Sequence, residues 1–243
     1  MSGHSKWSTI KRKKGALDQK RGKLFSSVGR EITISARLLG GDIEANARLR
    51  QAVKKAKSIN MPSANIEKAI KKGTGDLDNV TYEEASYEGY GPNGIAIFIH
   101  TITDNKNRTV ADVRHVLSKF GGSLGQSGSV AWNFDRMGII LIEESVIDED
   151  KLFNISIDND AKDFRKEDGY YKLFFDHNII YEKIDLIEKI PIEIDSSFIA
   201  LIPKDSIKIS KDEGKKVEKL MDALDNLDDI QDVYSNYEVQ ELS

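Results

Sequence analysis

Charge sign is segregated along this chain, and that asymmetry constrains what it can fold into more than any single motif does. Residues 1–75 hold 18 Lys and Arg against 5 Asp and Glu, a net +13, whereas residues 76–243 hold 18 against 35, a net −17. A small core with so large an excess of one sign must keep its charges outside, so the first third reads as a polyanion-facing module and the rest as an acidic body. At 243 residues there is room for one to three domains. No cysteine occurs, which excludes disulfides, thiolate catalysis and zinc fingers and suits a reducing cytosol. No apolar run reaches the roughly eighteen residues of a membrane span, and none follows the basic N-terminus as a secretory signal would. A cytoplasmic protein without membrane contact is the expectation.

Within the basic third, Leu17, Leu24, Val28, Ile32, Ala36 and Leu39 recur at helical spacing, and Gly40 and Gly41 end that helix. A second helix is expected from Glu44 to Ile59 with Leu49, Val53 and Ala56 inward. A third follows with Pro62 as its first residue and Ile66, Ala69 and Ile70 inward, closed by Gly73 and Gly75. From Tyr82 the pattern changes. Gly94 to Thr103 reads as a strand, Arg108 to Phe120 as a helix capped by Asn107, Gly121 to Gly128 as a loop and Ser129 to Phe134 as a strand. Ser197 to Ile202, Asp212 to Leu227 and Ile230 to Tyr237 read as strand, helix, strand. Two such units paired make a ferredoxin-like sandwich. Between them lie strands at Gly138 to Ile142, Tyr170 to Phe175 and Ile190 to Ile194, a helix at Ile179 to Ile187, a helix or extended stretch at Asp148 to Asn159, and a polar loop from Asp158 to Gly169. The expected fold is α+β: a helical domain over residues 1–78, an α+β domain from 79–136 and 196–243, and a second α+β domain, 137–195, inserted into it.

Two catalytic patterns occur literally and in the wrong context. Gly89-Tyr90-Gly91-Pro92-Asn93-Gly94 fits the dinucleotide fingerprint, but that motif must open a helix, and here a strand follows. Gly121-Gly122-Ser123-Leu124-Gly125 fits the nucleophile elbow, yet runs from helix into strand, the reverse of what lifts a serine above a sheet. His4, His100, His115 and His177 have no metal-ligand spacing, and Asp222, Asp225, Asp228, Asp229 and Asp232 lack the glycine and closing glutamate of a calcium loop, so they read as a solvated face. No catalytic residue, metal or cofactor is assigned, and a non-enzymatic protein is expected.

The basic third has the more specific chemistry. Lys6, Lys11, Arg12, Lys13, Lys14, Lys20, Arg21 and Lys23 surround Trp7, whose ring offers a stacking face, with Asp18 the one acid among them. On the second helix Arg50, Lys54 and Lys57 fall at i, i+4 and i+7, and Lys68, Lys71 and Lys72 continue the charge in the third. These residue types at these spacings point to phosphate contacts, which supply affinity and strong salt dependence but no sequence readout. The competing readings are a solvated surface, a transit peptide or a nuclear-import tetrad at Lys11-Arg12-Lys13-Lys14.

Gly3-His4-Ser5-Lys6-Trp7, Gly29-Arg30-Glu31-Ile32, Gly40-Gly41-Asp42, Asn60-Met61-Pro62, Gly73-Thr74-Gly75, Tyr87-Glu88-Gly89-Tyr90-Gly91-Pro92, Asp104-Asn105-Lys106-Asn107-Arg108-Thr109, Gly128-Ser129-Val130-Ala131-Trp132 and Leu227-Asp228-Asp229-Ile230-Gln231-Asp232-Val233-Tyr234 are distinctive blocks. Together they resemble the YebC/PmpR family of probable transcriptional regulators, over nearly the whole chain. The resemblance implies a three-domain α+β protein of the bacterial cytoplasm that binds DNA and regulates transcription. It also implies an alternative, because a mitochondrial relative is a translational activator and other relatives are linked to stalled ribosomes. The partners it implies are therefore DNA or ribosomal RNA, with the transcription machinery or the ribosome. It promotes Lys106, Arg108 and Arg114 to a second cationic patch. Two departures stand out: Ala47 replaces an expected proline, predicting a looser entry to the second helix, and the inserted segment matches least.

Overall fold

The computed structural model describes residues 21–77 and 81–240. Leu17 and the basic-tail residues Lys6, Trp7, Lys11, Arg12, Lys13, Lys14 and Lys20 lie outside the described residues. The described residues fall into two compact units, one that reaches Asn133 and resumes at Asp205, and one from Phe134 to Lys204.

The first unit opens with three helices, α1 (Arg21–Leu39), α2 (Ala47–Ser58) and α3 (Ser63–Thr74). Val28, Ile32, Ala36, Leu49, Val53, Ala56, Met61 and Ile66 form their common core, as helical spacing predicts. Leu39 departs from that pattern: it ends its helix and is 66% exposed. The second helix begins at Ala47, three residues later than expected, because the buried Asn46 caps it. The Asn46 side chain accepts from the Leu49 N–H at 3.0 Å and donates to the carbonyls of Ser35 and Gly40 at 2.9 and 2.8 Å. That cap holds the entry that Ala47 was expected to loosen. Pro62 is the residue before α3, not its first residue. Gly73 lies inside α3, so it does not end the helix, and only Gly75, at φ +87, takes the left-handed closing position. Gly73 instead permits contact with α1, since a Cβ there would meet the Thr33 carbonyl and come 2.7 Å from the Ala36 Cβ.

The chain then builds β1 (Glu83–Tyr90), β2 (Ala96–Thr103), α4 (Lys106–Lys119) and β3 (Ser123–Leu124). After the second unit it returns with β8 (Ile207–Ile209), α7 (Lys211–Asp225), β9 (Ile230–Ser235) and β10 (Tyr237–Val239), of which β8 and β10 form a separate parallel pair. The main sheet is antiparallel in the order β3-β1-β2-β9, and Val113, Leu117, Val217, Leu220 and Leu224 of α4 and α7 pack on Ile95, Ile97, Ile99 and Val233. Strand β1 has no apolar alternation and gives no signal in the sequence. Its Glu88 is 5% exposed because the carboxylate accepts from the backbone N–H groups of Gly128, Val130 and Ala131 at 2.6, 2.7 and 2.8 Å. Those N–H groups are thereby withdrawn from sheet pairing, so of the strand expected at Ser129 to Phe134 only Phe134 is extended, and the rest is a loop ending in a 3₁₀ turn, Ala131–Asn133. The cap of α4 is Asn105, whose side chain accepts from Arg108 N at 3.0 Å, in place of Asn107.

The second unit runs β4 (Phe134–Glu143), α5 (Glu149–Asp158), β5 (Asp163–Glu167), β6 (Tyr170–Asp176), α6 (Ile180–Ile187) and β7 (Ser196–Pro203), in the order β5-β6-β4-β7 with every neighbour antiparallel. This βαββαβ arrangement is the ferredoxin-like one. Leu152, Ile180, Ile184 and Ile187 cover Ile140, Ile142, Leu173 and Phe175. Three expectations change here. Residues 190–194 are irregular; the polar stretch 158–169 contains β5, joined to β6 by Asp168 and Gly169 at φ +54 and +83, the geometry of a tight hairpin turn. The strand assigned to residues 197–202 pairs with β4 from Phe134↔Pro203 to Leu141↔Ser196, so it completes this sheet and not the other. The unit boundaries consequently fall at 133/134 and 204/205 in place of 136/137 and 195/196.

Two glycines give opposite expectations. Gly73→Ala should destabilise by about 2 kcal/mol through overpacking against α1, whereas Gly29→Ala, inside α1 where a Cβ meets nothing within 4 Å, should stabilise by about 0.5–1 kcal/mol through helix propensity. Denaturant unfolding of both variants checks the pair, and equal effects would contradict the packing.

Candidate nucleic-acid interface

Successive residues of a helix turn by about 100°, so α2 has an apolar face, Leu49, Ala52, Val53 and Ala56, flanked by two basic edges. One edge carries Arg50, Lys54 and Lys57; the other carries Arg48 and Lys55. Arg50 donates to the carbonyl of Glu44 at 2.9 Å and to that of Ile43 at 3.5 Å, which ties it to the preceding turn. Lys54, Lys55 and Lys57 are exposed, as are Lys68 and Lys71 of α3. Lys72 is half-buried, with Nζ 5.4 Å from the centre of the Tyr82 ring. Lys23 departs from the expected solvent-facing role, since its Nζ is buried. Arg21 opens α1. The cations that α2 and α3 expose are therefore lysines.

Three arginines of the helical module, Arg30, Arg37 and Arg48, point elsewhere. Arg30 donates to the Asp228 carbonyl and lies 3.4 Å from the Asp229 carboxylate. Arg37 donates to the Tyr82 carbonyl at 2.9 Å. Arg48 holds Glu31 at 2.8 and 3.2 Å and also donates to Glu84.

Asp229, read from sequence as part of a solvated acidic face, is 4% exposed and stands at the centre of a network. It accepts from Arg108 at 2.7 Å, from Thr109 at 2.8 Å and from Thr103 at 3.1 Å. Burial would raise its pKa, but the hydrogen bonds from Arg108 and Thr109 and the Arg108 charge bring it below the ordinary aspartate value. Of the second patch, Arg108 pairs with both Asp104 and Asp229, and Lys106 pairs with Glu83 at 2.7 Å, while Arg114 is exposed. The only sequence signal for Asp229 was its place in a family block: the blocks 104–109 and 227–234 meet in this network.

Neither rejected motif has the context of its namesake: residues 89–94 run from the end of β1 through a 3₁₀ turn toward β2, and the stretch 121–128, expected as a loop, contains β3, with Ser123 opposite Tyr90 after the end of α4. His100 is 3.9 Å from Glu84, and His177 is 3.5 Å from its neighbour Asp176. Among the described residues no three His, Asp or Glu side chains gather as metal ligands, and no helix is long and apolar enough to cross a membrane. One aromatic is conspicuous: Trp132 is 66% exposed, with its Nε1–H held by the Ser129 carbonyl at 3.0 Å and the Tyr90 hydroxyl donating to the same oxygen at 3.0 Å.

Comparison with known proteins follows the same lines. The model of the TACO1/YebC protein N-terminal domain matches residues 5–76, and that of the TACO1/YebC second and third domain matches residues 82–237. A protein of Chlorobium chlorochromatii named "Probable transcriptional regulatory protein" is 49% identical over 242 residues, spanning 99% of this chain and 97% of its own. One of Syntrophus aciditrophicus with the same name is 45% identical, with the same shares covered. The crystal structure of a conserved hypothetical protein from Aquifex aeolicus superposes with a TM-score of 0.85 at 41% identity, covering 93% of each chain.

Asp229→Asn should cost about 2 kcal/mol by removing the anion nearest Arg30 and one of the two carboxylates that hold Arg108. Because the folded pKa lies below the unfolded value of about 3.9, the stabilisation from ionised Asp229 is present above pH 4 and fades as pH falls through the folded pKa. Urea unfolding at pH 7 and below pH 4 should therefore show a gap between wild type and variant that narrows in acid.

Proposed function

We propose, for a chain that belongs to the TACO1/YebC family, that it is a non-enzymatic regulator which binds nucleic acid through the phosphate backbone, using its N-terminal basic module. The observation that carries this reading is the exposed lysine set of α2 and α3: Lys54, Lys55, Lys57, Lys68 and Lys71. The basic residues 4–23 extend the same charge in sequence. An ammonium is a strongly hydrated point charge on a flexible stem and suits phosphates without demanding a base pattern. The names of the relatives support a regulatory role, and control of transcription through DNA is the finer reading we adopt. The cytoplasm is the compartment where such a partner is met.

A second reading, an RNA-bound translation factor, is favoured by Trp132. Its polar edge is satisfied internally, so what it offers outward is the ring face, and stacking on unpaired bases is the commonest use of such a face in RNA recognition.

Alanine at Lys55, Lys57, Lys68 and Lys71 together should leave unfolding unchanged and weaken binding. The dependence of log affinity on log salt should flatten by about 0.9 for each duplex phosphate that the variant no longer neutralises. Anisotropy titrations between about 50 and 200 mM salt, with duplex DNA and with a ribosomal RNA fragment, test this and rank the two ligands. Wild-type affinity and slope in the variant on both would reject the interface.

A further inference from the structure

The side of α1 that faces away from the helical core carries Ser27, Arg30, Glu31, Ile34 and Arg37, which fall within about 120° of arc at 100° per residue. This side meets the sheet. Ser27 donates to Gln231 Oε1 at 2.6 Å, Arg30 reaches Asp228 and Asp229, and Arg37 reaches Tyr82. From α2, Arg48 bridges Glu31 and Glu84. The core of the three helices and the core of the sheet remain separate clusters; at the junction Ile34 is buried, and the contacts that name both sides are ion pairs and hydrogen bonds. These pairs are mostly buried, so simple salt screens them less than a surface pair, and an arginine leaves its carboxylate at least cost when another anion takes its place.

We propose that Arg30, Arg37 and Arg48 form a second phosphate-binding stripe, held shut by the chain's own carboxylates and carbonyls. A guanidinium fork fits carboxylate and phosphate alike, so Asp229 and Glu84 stand where two phosphates of a nucleic-acid backbone bind when the helices lift from the sheet. The closed state then lowers apparent affinity by the fraction of molecules in which the stripe is covered. The proposal rests on the nucleic-acid reading above and adds to it a masked site with its own control.

The absence of cysteine from the chain makes the test specific. In an S27C/Q231C variant, a short bis-methanethiosulfonate linker pins α1 to β9, and thiol cleaves it again. With a labelled 20-base-pair duplex of random sequence as probe, the pinned protein should bind about threefold or more weakly than the same protein after cleavage. Its salt slope should be shallower by the equivalent of up to about three phosphates. Glu84→Gln, which removes one masking charge while Arg48 keeps Glu31, should tighten binding by about two- to fivefold and speed hydrogen exchange at the α1 junction. Equal affinity and slope in pinned and cleaved protein would overturn the masked stripe, as would faster exchange in Glu84→Gln without tighter binding. If pinning weakens binding while the four-lysine variant binds normally, the stripe stands and the lysine face falls. If neither state binds the duplex or a matched RNA, both fall.

Discussion

Asp229 is the anion on which the first unit converges. Its carboxylate receives Arg108 and Thr109 from the first turn of α4 and Thr103 from the end of β2, with Arg30 of α1 close by. Its own carbonyl accepts from Ile102 N at 3.0 Å. A buried carboxylate is tolerated only where donors replace its water, and these come from segments distant in sequence. Docking the α7–β9 turn against the start of α4 and placing α1 beside the sheet are therefore satisfied by one set of hydrogen bonds.

Around that centre the cations divide by chemistry. Arginines, with planar forks and weaker hydration, take the positions where carboxylates and carbonyls must be matched: Arg30, Arg37, Arg48 and Arg108. Lysines, with long stems and hydrated heads, remain at the outer edges of α2 and α3. Among the described residues of the helical module, Arg30, Arg37 and Arg48 are engaged with the acidic body or with Glu31, whereas Lys54, Lys55, Lys57, Lys68 and Lys71 are exposed.

The polar segments that bear no hydrophobic pattern are set by similar substitutions. Glu88 takes three backbone donors and so converts an expected strand into the loop that carries Trp132. Asn46 takes two carbonyls and gives one acceptor, and so sets where α2 begins. In each case a side chain occupies a backbone group that would otherwise enter a helix or ladder, which changes local structure without altering apolar periodicity.

What could be read along the chain was what depends on neighbours three or four residues away, or on summed charge. The helical periodicity, the Gly75 terminus, the strand at 96–103, the reversed glycine motifs and the basic first third all belong to that class, as do the exposed lysines of α2. Tertiary structure decided the rest, because those features depend on partners far away in sequence. Strand β1 exists through pairing with β2, strand 196–203 belongs with β4 because it pairs with that strand along its own whole length, Gly73 is required by the approach of α1, and Asp229 is buried by donors more than 100 residues distant. Charge sign is written in the sequence; which charges meet a partner and which meet water is set only when the chain brings them together.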